Sequence, residues 1–292
     1  MPTLILSNRY TDDSQVLWRA ATFEGWDVVR LQNWRIPKQP LPDPVVYVES
    51  LFAPMIGEQL GLNLREPPED WLVKLPNHFS KRMISLEMAA DVRAVQKFRS
   101  VGPLFIKPPN DKSFPAKVYA SLPDYVPADT AVLVQEEVEW EKEFRCFCLD
   151  GKVLTLSIYC RNHQVQKHED WYSSVPELQD AKEFAEVVME SVETPRAVVM
   201  DVGVIKDKGW AVVELNAAWG SGIYGCQPKE VLHVVRECME KSGEVMTHEE
   251  MIAKFVQVFR CTESMARCYL CYCSWNYEAA TDAYWRENIL IY

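Results

Sequence analysis

The sequence predicts a mixed α/β and α+β chain in three parts. Residues 1–78 read as a small parallel α/β segment, 79–243 as antiparallel sheets with helices, and 247–292 as a small three-helix bundle. Three observations carry this. Apolar strands and helices alternate near the start. Hairpin signals such as Asp150-Gly151 join apolar runs in the middle. From Thr247, three short runs with helical spacing follow one another.

Thr3–Ser7 reads as a buried strand. Asp12-Asp13-Ser14 can cap a helix whose apolar positions Val16, Leu17, Ala20, Ala21 and Phe23 keep helical spacing to Gly25. Asp27–Leu31 and Val45–Val48 are the next strands, separated by a proline-rich crossing, and Leu51–Leu60 is a helix closed by Gly61. In the second part the strands are Phe105–Lys107, Ala131–Val138, Glu143–Leu149, Lys152–Tyr159, Val198–Val204 and Ala211–Leu215, with one long helix near Pro176–Val192 packed on them. The last part reads as helices Glu249–Phe259, Thr262–Cys273 and Tyr277–Trp285, with Phe255, Ala266, Leu270, Ala280 and Ala283 turned inward.

Composition narrows the function. The 292 residues carry 31 Lys+Arg against 42 Asp+Glu, a formal charge of −11 without a long basic run, so a nucleic-acid partner is not expected. No stretch approaches the ~20 apolar residues of a membrane span, and no membrane partner is expected. The first apolar stretch stops at Asn8-Arg9, short of a signal core. Nine cysteines, an odd number in a long chain, point to reduced thiols and a cytoplasmic address.

The most informative stretch runs from Val198 to Asn216. A turn centred between Asp207 and Lys208 would pair Asp201 with Glu214, and strand alternation puts Asn216 on the same face. Three oxygen ligands of the kind Mg²⁺ takes would then converge. A slip of one residue turns Asp201 away, and the alternative is a solvated hairpin. Lys107 ends an apolar strand before a loop with Lys112 and Lys117; it is either a solvated terminus or a partner for polyphosphate. The strand ending Gln135-Glu136-Glu137-Val138 is either a charged edge or a hinge whose backbone meets an adenine edge, with Glu143 and Arg145 toward ribose and phosphate. Arg9 leaves the carboxyl end of the first strand, where open α/β sheets place ligands, and could grip a substrate carboxylate. The glycines of Gly220-Ser221-Gly222 permit close backbone approach. Cys268, Cys271 and Cys273 lack a matching pair at zinc spacing and read as small helix fillers.

Together Lys81, Phe105-Ile106-Lys107-Pro108, the Gln135–Val138 hinge, Glu143-Phe144-Arg145, Asp201 and Glu214-x-Asn216 resemble, in order and spacing, the ATP-grasp ligases over residues 1 to about 243. The Asp–Glu–Asn spacing is similar to the D-alanine–D-alanine ligase type. The resemblance implies ATP and Mg²⁺. Lys81 and Lys107 would contact phosphates, and Gln135, Glu136, Glu137 and Val138 would lie at adenine. Glu143 would lie near the ribose, and Asp201, Glu214 and Asn216 would hold Mg²⁺. Lys107, Arg145 and Arg9 are the expected catalytic residues. The last part, with Met251–Phe255, Ser264–Leu270 and Trp275–Trp285, is similar to a ubiquitin-associated (UBA-like) domain. That implies a ubiquitin or ubiquitin-like partner, a purely structural bundle being the alternative.

The expected function is ATP-dependent, ADP-forming joining of a carboxylate to an amine, on small molecules or peptides, through an acyl-phosphate. The rivals are a non-catalytic ATP-binding adaptor acting through its UBA-like tail, and an ATP-grasp kinase.

Overall fold

The computed structural model describes residues 1–98, 102–110, 112–241, 248–273, 280 and 283–284. The chain divides into two compact units, Met1–Glu240 and Lys241–Tyr292. The first unit opens with β1 (Thr3–Leu6), α1 (Asp12–Phe23), β2 (Asp27–Arg30), β3 (Pro44–Tyr47) and α2 (Ala53–Gln59). The three strands form a parallel sheet in the order β2-β1-β3. All four residues of β1 are buried because it is the middle strand. Thr11, not Asp12, caps α1: the hydroxyls of Thr11 and Ser14 each accept the other's backbone N–H at 3.1 Å.

Next come β4 (Leu62–Leu64), α3 (Trp71–Lys74), α4 (Asn77–Ser80), β5 (Ile84–Met88), α5 (Ala89–Phe98), β6 (Leu104–Lys107), β7 (Lys117–Tyr119) and β8 (Ala131–Gln135). Of the strands, β5, β8, β6 and β7 build an antiparallel sheet in that order. Of all these elements, the sequence predicts only β6 and β8; β4, α3, α4, β5, α5 and β7 go beyond it.

The second antiparallel sheet uses β9 (Trp140–Leu149), β10 (Lys152–Arg161), β11 (Gln164–Val165), β12 (Ala197–Ile205) and β13 (Gly209–Asn216) in the order β11-β10-β9-β12-β13. Helix α6 (Val175–Ser191) packs on one face against Phe144, Cys146, Met200 and Val202. The other face, with Phe147 and Val199, joins the core of the parallel sheet and α7 (Pro228–Glu237). Strand β14 (Met239–Lys241) pairs with β4. Because both faces of the five-stranded sheet are covered, β12 is buried almost throughout and reads as an apolar run interrupted by Asp201. Glu177 completes a capping box with Ser174 at the start of α6 and takes Arg161 on both oxygens at 3.1 Å. Those bonds, with Lys142 and Ser173, hold its carboxyl far below the usual range.

The second unit contains α8 (His248–Phe259) and α9 (Glu263–Tyr272). Ile252, Phe255, Ala266, Leu270 and Ala280 are its buried apolar residues, and Ala283 is half-buried rather than inward. Of the expected helix Tyr277–Trp285, Ala280, Ala283 and Tyr284 are helical and the rest lies outside the described residues. Cys268 and Cys271 are exposed, correcting the filler reading: they sit on the face of α9 away from Ala266 and Leu270. Among the described residues no helix is long and apolar enough to cross a membrane.

The packing yields two stability predictions. A Cβ at Gly203 would stand 2.6 Å from the Lys142 carbonyl oxygen and 2.9 Å from the Trp140 ring, and backbone cannot retreat cheaply. Gly203→Ala should therefore cost about 1–3 kcal/mol, read as a lower urea midpoint. Phe255→Ala should cost about 3–5 kcal/mol, enough to open a core of this size. Hydrogen exchange over 248–273 should then accelerate while β9 and β12 stay protected.

Candidate active site

The hairpin of β12 and β13 sets the site. Ile205 pairs with Gly209, so the turn is centred on Asp207, not between Asp207 and Lys208. Asp207 at φ 61° and Gly209 at φ 80° adopt the left-handed backbone it needs. With that turn alone, Asp201 would face Val213. The register shifts between Val202↔Val212 and Asp201↔Glu214, leaving Val213 as a β-bulge. Asp201 thus does face Glu214, through a second offset that cancels the first.

On its other side Asp201 pairs with Arg145 of β9. Arg145 Nε donates to Oδ1 at 2.9 Å, Nη2 to Oδ2 at 2.7 Å, and Nη1 to the Gly222 carbonyl at 3.0 Å. Its guanidinium also lies over the Tyr224 ring at 4.7 Å. Asn216 Nδ2 donates to Asp201 Oδ2 at 3.3 Å and to Glu214 Oε1 at 3.0 Å. Glu214 Oε2 accepts from Lys107 Nζ. Burial pushes Asp201 up to about 6 against the pull of Arg145. Burial also acts to raise Glu214, but Lys107 and the Asn216 bond outweigh it and bring the carboxyl down to about 2. Burial opposes the Arg145 charge, and Asp201 more than offsets it.

A cavity of about 360 Å³ opens beside this cluster, lined by Lys107, the Gln135–Val138 stretch, Glu143 and Glu214. The Gln135 side chain accepts from Arg82, and Glu136 accepts from Lys208 Nζ at 2.7 Å. Glu143 accepts from the Tyr159 hydroxyl at 2.6 Å, and burial raises its carboxyl. The structure does not bring Lys81 into this cavity. Lys81 takes a left-handed backbone at the end of α4, and its Nζ reaches the Lys208 carbonyl at 2.6 Å. Its neighbour Arg82 lines the cavity instead. Arg145 lies buried behind the cavity, with three of its nitrogens already bonded.

A second cavity, of about 660 Å³, opens at the carboxyl ends of β1 and β3 and includes Ser7, Arg9, Asp13, Glu49, Lys112 and Gly222. Arg9 Nε stands 3.5 Å from Glu49 Oε1, which also accepts from Ser7 at 3.2 Å. Glu49 Oε2 is shielded from solvent without a hydrogen-bond partner. Asp13 accepts the Ile223 N–H at 3.1 Å, and burial raises its carboxyl. Sequence reasoning found Arg9 and missed Asp13, Glu49 and Arg82. Glu49 could have been found by extending the strand-end rule from β1 to β3.

Among the described residues no three Asp, Glu, His or Cys side chains cluster as a metal site. The donor set here is two carboxylates and an amide, which suits a hard cation that also takes water and phosphate. Asn216 directs its nitrogen at both acids; turned over, the amide would offer Oδ1 and free a lone pair on each.

A family model described as an ATP-grasp domain, the second family of its clade, matches residues 79–234, and a UBA-like domain model matches 249–288. The chain belongs to the ATP-grasp superfamily. Within it, the match assigns the chain to that second family. Solved structures with a similar fold include D-alanine–D-alanine ligase from Bacillus anthracis, at 13% identity and TM-score 0.45, over 82% of this chain and 97% of that one. The ATP-grasp ligase PsnB with a minimal precursor aligns at 14% identity and TM-score 0.45, over 82% and 99%. The D-cycloserine synthetase DcsG aligns at 14% identity and TM-score 0.48, over 80% and 99%. No curated protein matches the chain.

Glu214 provides a pH test. Its folded carboxyl is held at about 2, below its unfolded value, so its contribution is present above the ordinary carboxylate range and lost as pH falls toward 2. The wild-type advantage over Glu214→Gln in urea midpoint should therefore be larger near pH 6 than near pH 3. A gap independent of pH would mean that Glu214 is not held below its unfolded value in the folded chain.

Proposed function

We propose that the protein is an ATP- and Mg²⁺-dependent ligase that joins a carboxylate to an amine and releases ADP and phosphate. The observation that carries this reading is the acid cluster with a cavity on either side. Glu214 and Lys107 line the smaller cavity, and Arg145 ties Asp201 to Gly222, which lines the larger one. Nucleotide would enter the first and the substrates the second, so that the γ-phosphoryl group meets the carboxylate beside the cluster.

In this reading the Gln135–Val138 stretch holds adenine, Glu143 the ribose, and Lys107 the phosphates. Lys81 would act at the hairpin it already bonds rather than on phosphate directly. Glu214, Asn216 and Asp201 hold Mg²⁺, which when bound neutralises phosphate charge. The carboxylate oxygen attacks the γ-phosphorus and the bond to ADP breaks. The amine nitrogen then attacks the acyl carbon, phosphate leaves, and the amine loses its proton. Arg9 would hold a substrate carboxylate, and the unpartnered oxygen of Glu49 is suited to an ammonium group. Arg145 acts on Asp201 and the Gly222 loop rather than on the substrate. The UBA-like unit would recruit a ubiquitin-like partner.

A non-catalytic ATP-binding adaptor is favoured by one observation: both Asp201 oxygens already accept from Arg145. ADP release separates the two. The ligase should release ADP only with Mg²⁺, a carboxylate and an amine together, across a panel of amino acids and short peptides. Glu214→Ala should reduce that release by about 100-fold or more while far-UV circular dichroism stays unchanged. Nucleotide binding without turnover on any pair would support the adaptor.

A further inference from the structure

We infer that Arg82 is a positioning residue that holds the β-bulge at Val213, and so keeps Glu214 beside Asp201; this rests on the reading of Glu214 as a metal ligand. In a regular strand successive carbonyls point to opposite sides. Here two successive carbonyls converge on one guanidinium: Arg82 Nη1 donates to Val212 O and Nη2 to Val213 O, each at 2.7 Å. Only an interrupted ladder aims neighbouring carbonyls the same way, and the interruption is the register shift that leaves Val213 unpaired. Because β13 is the edge strand of its sheet, no further strand can take those carbonyls.

The rest of the guanidinium is fixed too. Nη1 also donates to the Ser80 carbonyl at 3.0 Å, Nε donates to Gln135 Oε1 at 3.0 Å, and the group lies 5.2 Å from the Trp140 ring. Arg82 is 4% exposed, so this charge is buried on carbonyls and an amide rather than on a carboxylate. Glu214, Glu136 and Glu143 support it only at longer range, and burial brings it down to about 10. A planar fork can span two adjacent carbonyls where a lysine ammonium would reach one. Without the clamp, β13 gains by relaxing into a regular ladder. Asp201 would then meet Val213, and Glu214 would turn to the opposite face.

Deleting Val213 separates this role from a fold or nucleotide-binding role. The deletion removes the extra residue, so Glu214 pairs with Asp201 in a regular ladder and the clamp has nothing left to hold. The readout is Mn²⁺ binding in the presence of a non-hydrolysable ATP analogue, followed by electron paramagnetic resonance, with Mg²⁺-dependent ADP release measured in parallel. Arg82→Gln and Arg82→Lys should each weaken Mn²⁺ binding by about tenfold or more, the size expected when a ligand loses its orienting partner. In the Val213-deleted chain, Arg82→Gln should change binding by less than about twofold, because coupled changes do not add. Mn²⁺ affinity unchanged in Arg82→Gln, but weakened in Glu214→Gln, would overturn the clamp and leave the metal reading standing. Multiplying effects of Arg82→Gln and the deletion would also overturn it. Unchanged affinity in Glu214→Gln would remove the metal reading and the clamp together. Should the deleted chain fail to fold, Arg82→Lys decides: wild-type Mn²⁺ affinity in that variant overturns the proposal.

Discussion

The pairing of Arg145 with Asp201 is the interaction on which the surrounding structure depends. The two residues stand opposite each other on neighbouring strands of a sheet covered on both faces, and Asp201 has no exposure at all. Either charge alone at that depth would be destabilising by about 3–5 kcal/mol. Together they form two parallel charge-assisted hydrogen bonds that also fix the register of β9 against β12. The third guanidinium nitrogen reaches the Gly222 carbonyl and the Tyr224 ring covers the group, so one ion pair also locates the glycine loop.

Burial and the neighbouring donors together explain why two acids side by side behave differently. Asp201 is deeper, and burial keeps its carboxyl near 6 even with Arg145 bonded to it. Glu214 sits at the cavity wall where Lys107 and Asn216 meet it, and is held near 2. At neutral pH both are ionised, with the weaker hold on the charge at Asp201. The like charges are separated by the Asn216 amide, whose nitrogen donates to both.

Much of this was legible in the sequence because burial leaves a pattern. The fully covered strand β12 reads as an apolar run with one acid in it, and that acid is the one that matters. The Asp201–Glu214 pairing was reached from a turn displaced by half a residue, and a bulge restored it. The carbonyls at that bulge accept from a side chain distant in sequence, Arg82, which no local rule supplies. Arg82 rather than Lys81 lines the smaller cavity for a related reason: the left-handed backbone at the helix end redirects Lys81 outward and leaves its neighbour to turn in. Strand β5 escaped notice because Ile84–Met88 runs directly into the helix that follows. The cysteines of α9 were read as fillers because composition alone does not say which face of a short helix is covered.

On the ligase reading, Lys107 and Glu214 neutralise each other, and this bears on how a phosphate could enter. Lys107 comes from the four-stranded sheet and Glu214 from the five-stranded one, so their ion pair joins the two sheets at the wall of the smaller cavity. An entering polyphosphate with its cation would offer each partner a replacement: phosphate for Lys107, the cation for Glu214. Such an exchange would leave neither buried charge alone, which avoids the penalty that makes isolated buried ions unstable. A site with Lys107 but no facing acid would hold a desolvated cation at rest, and one with Glu214 alone a desolvated anion. On this reading the pair sets two charges from different sheets against each other until a ligand separates them.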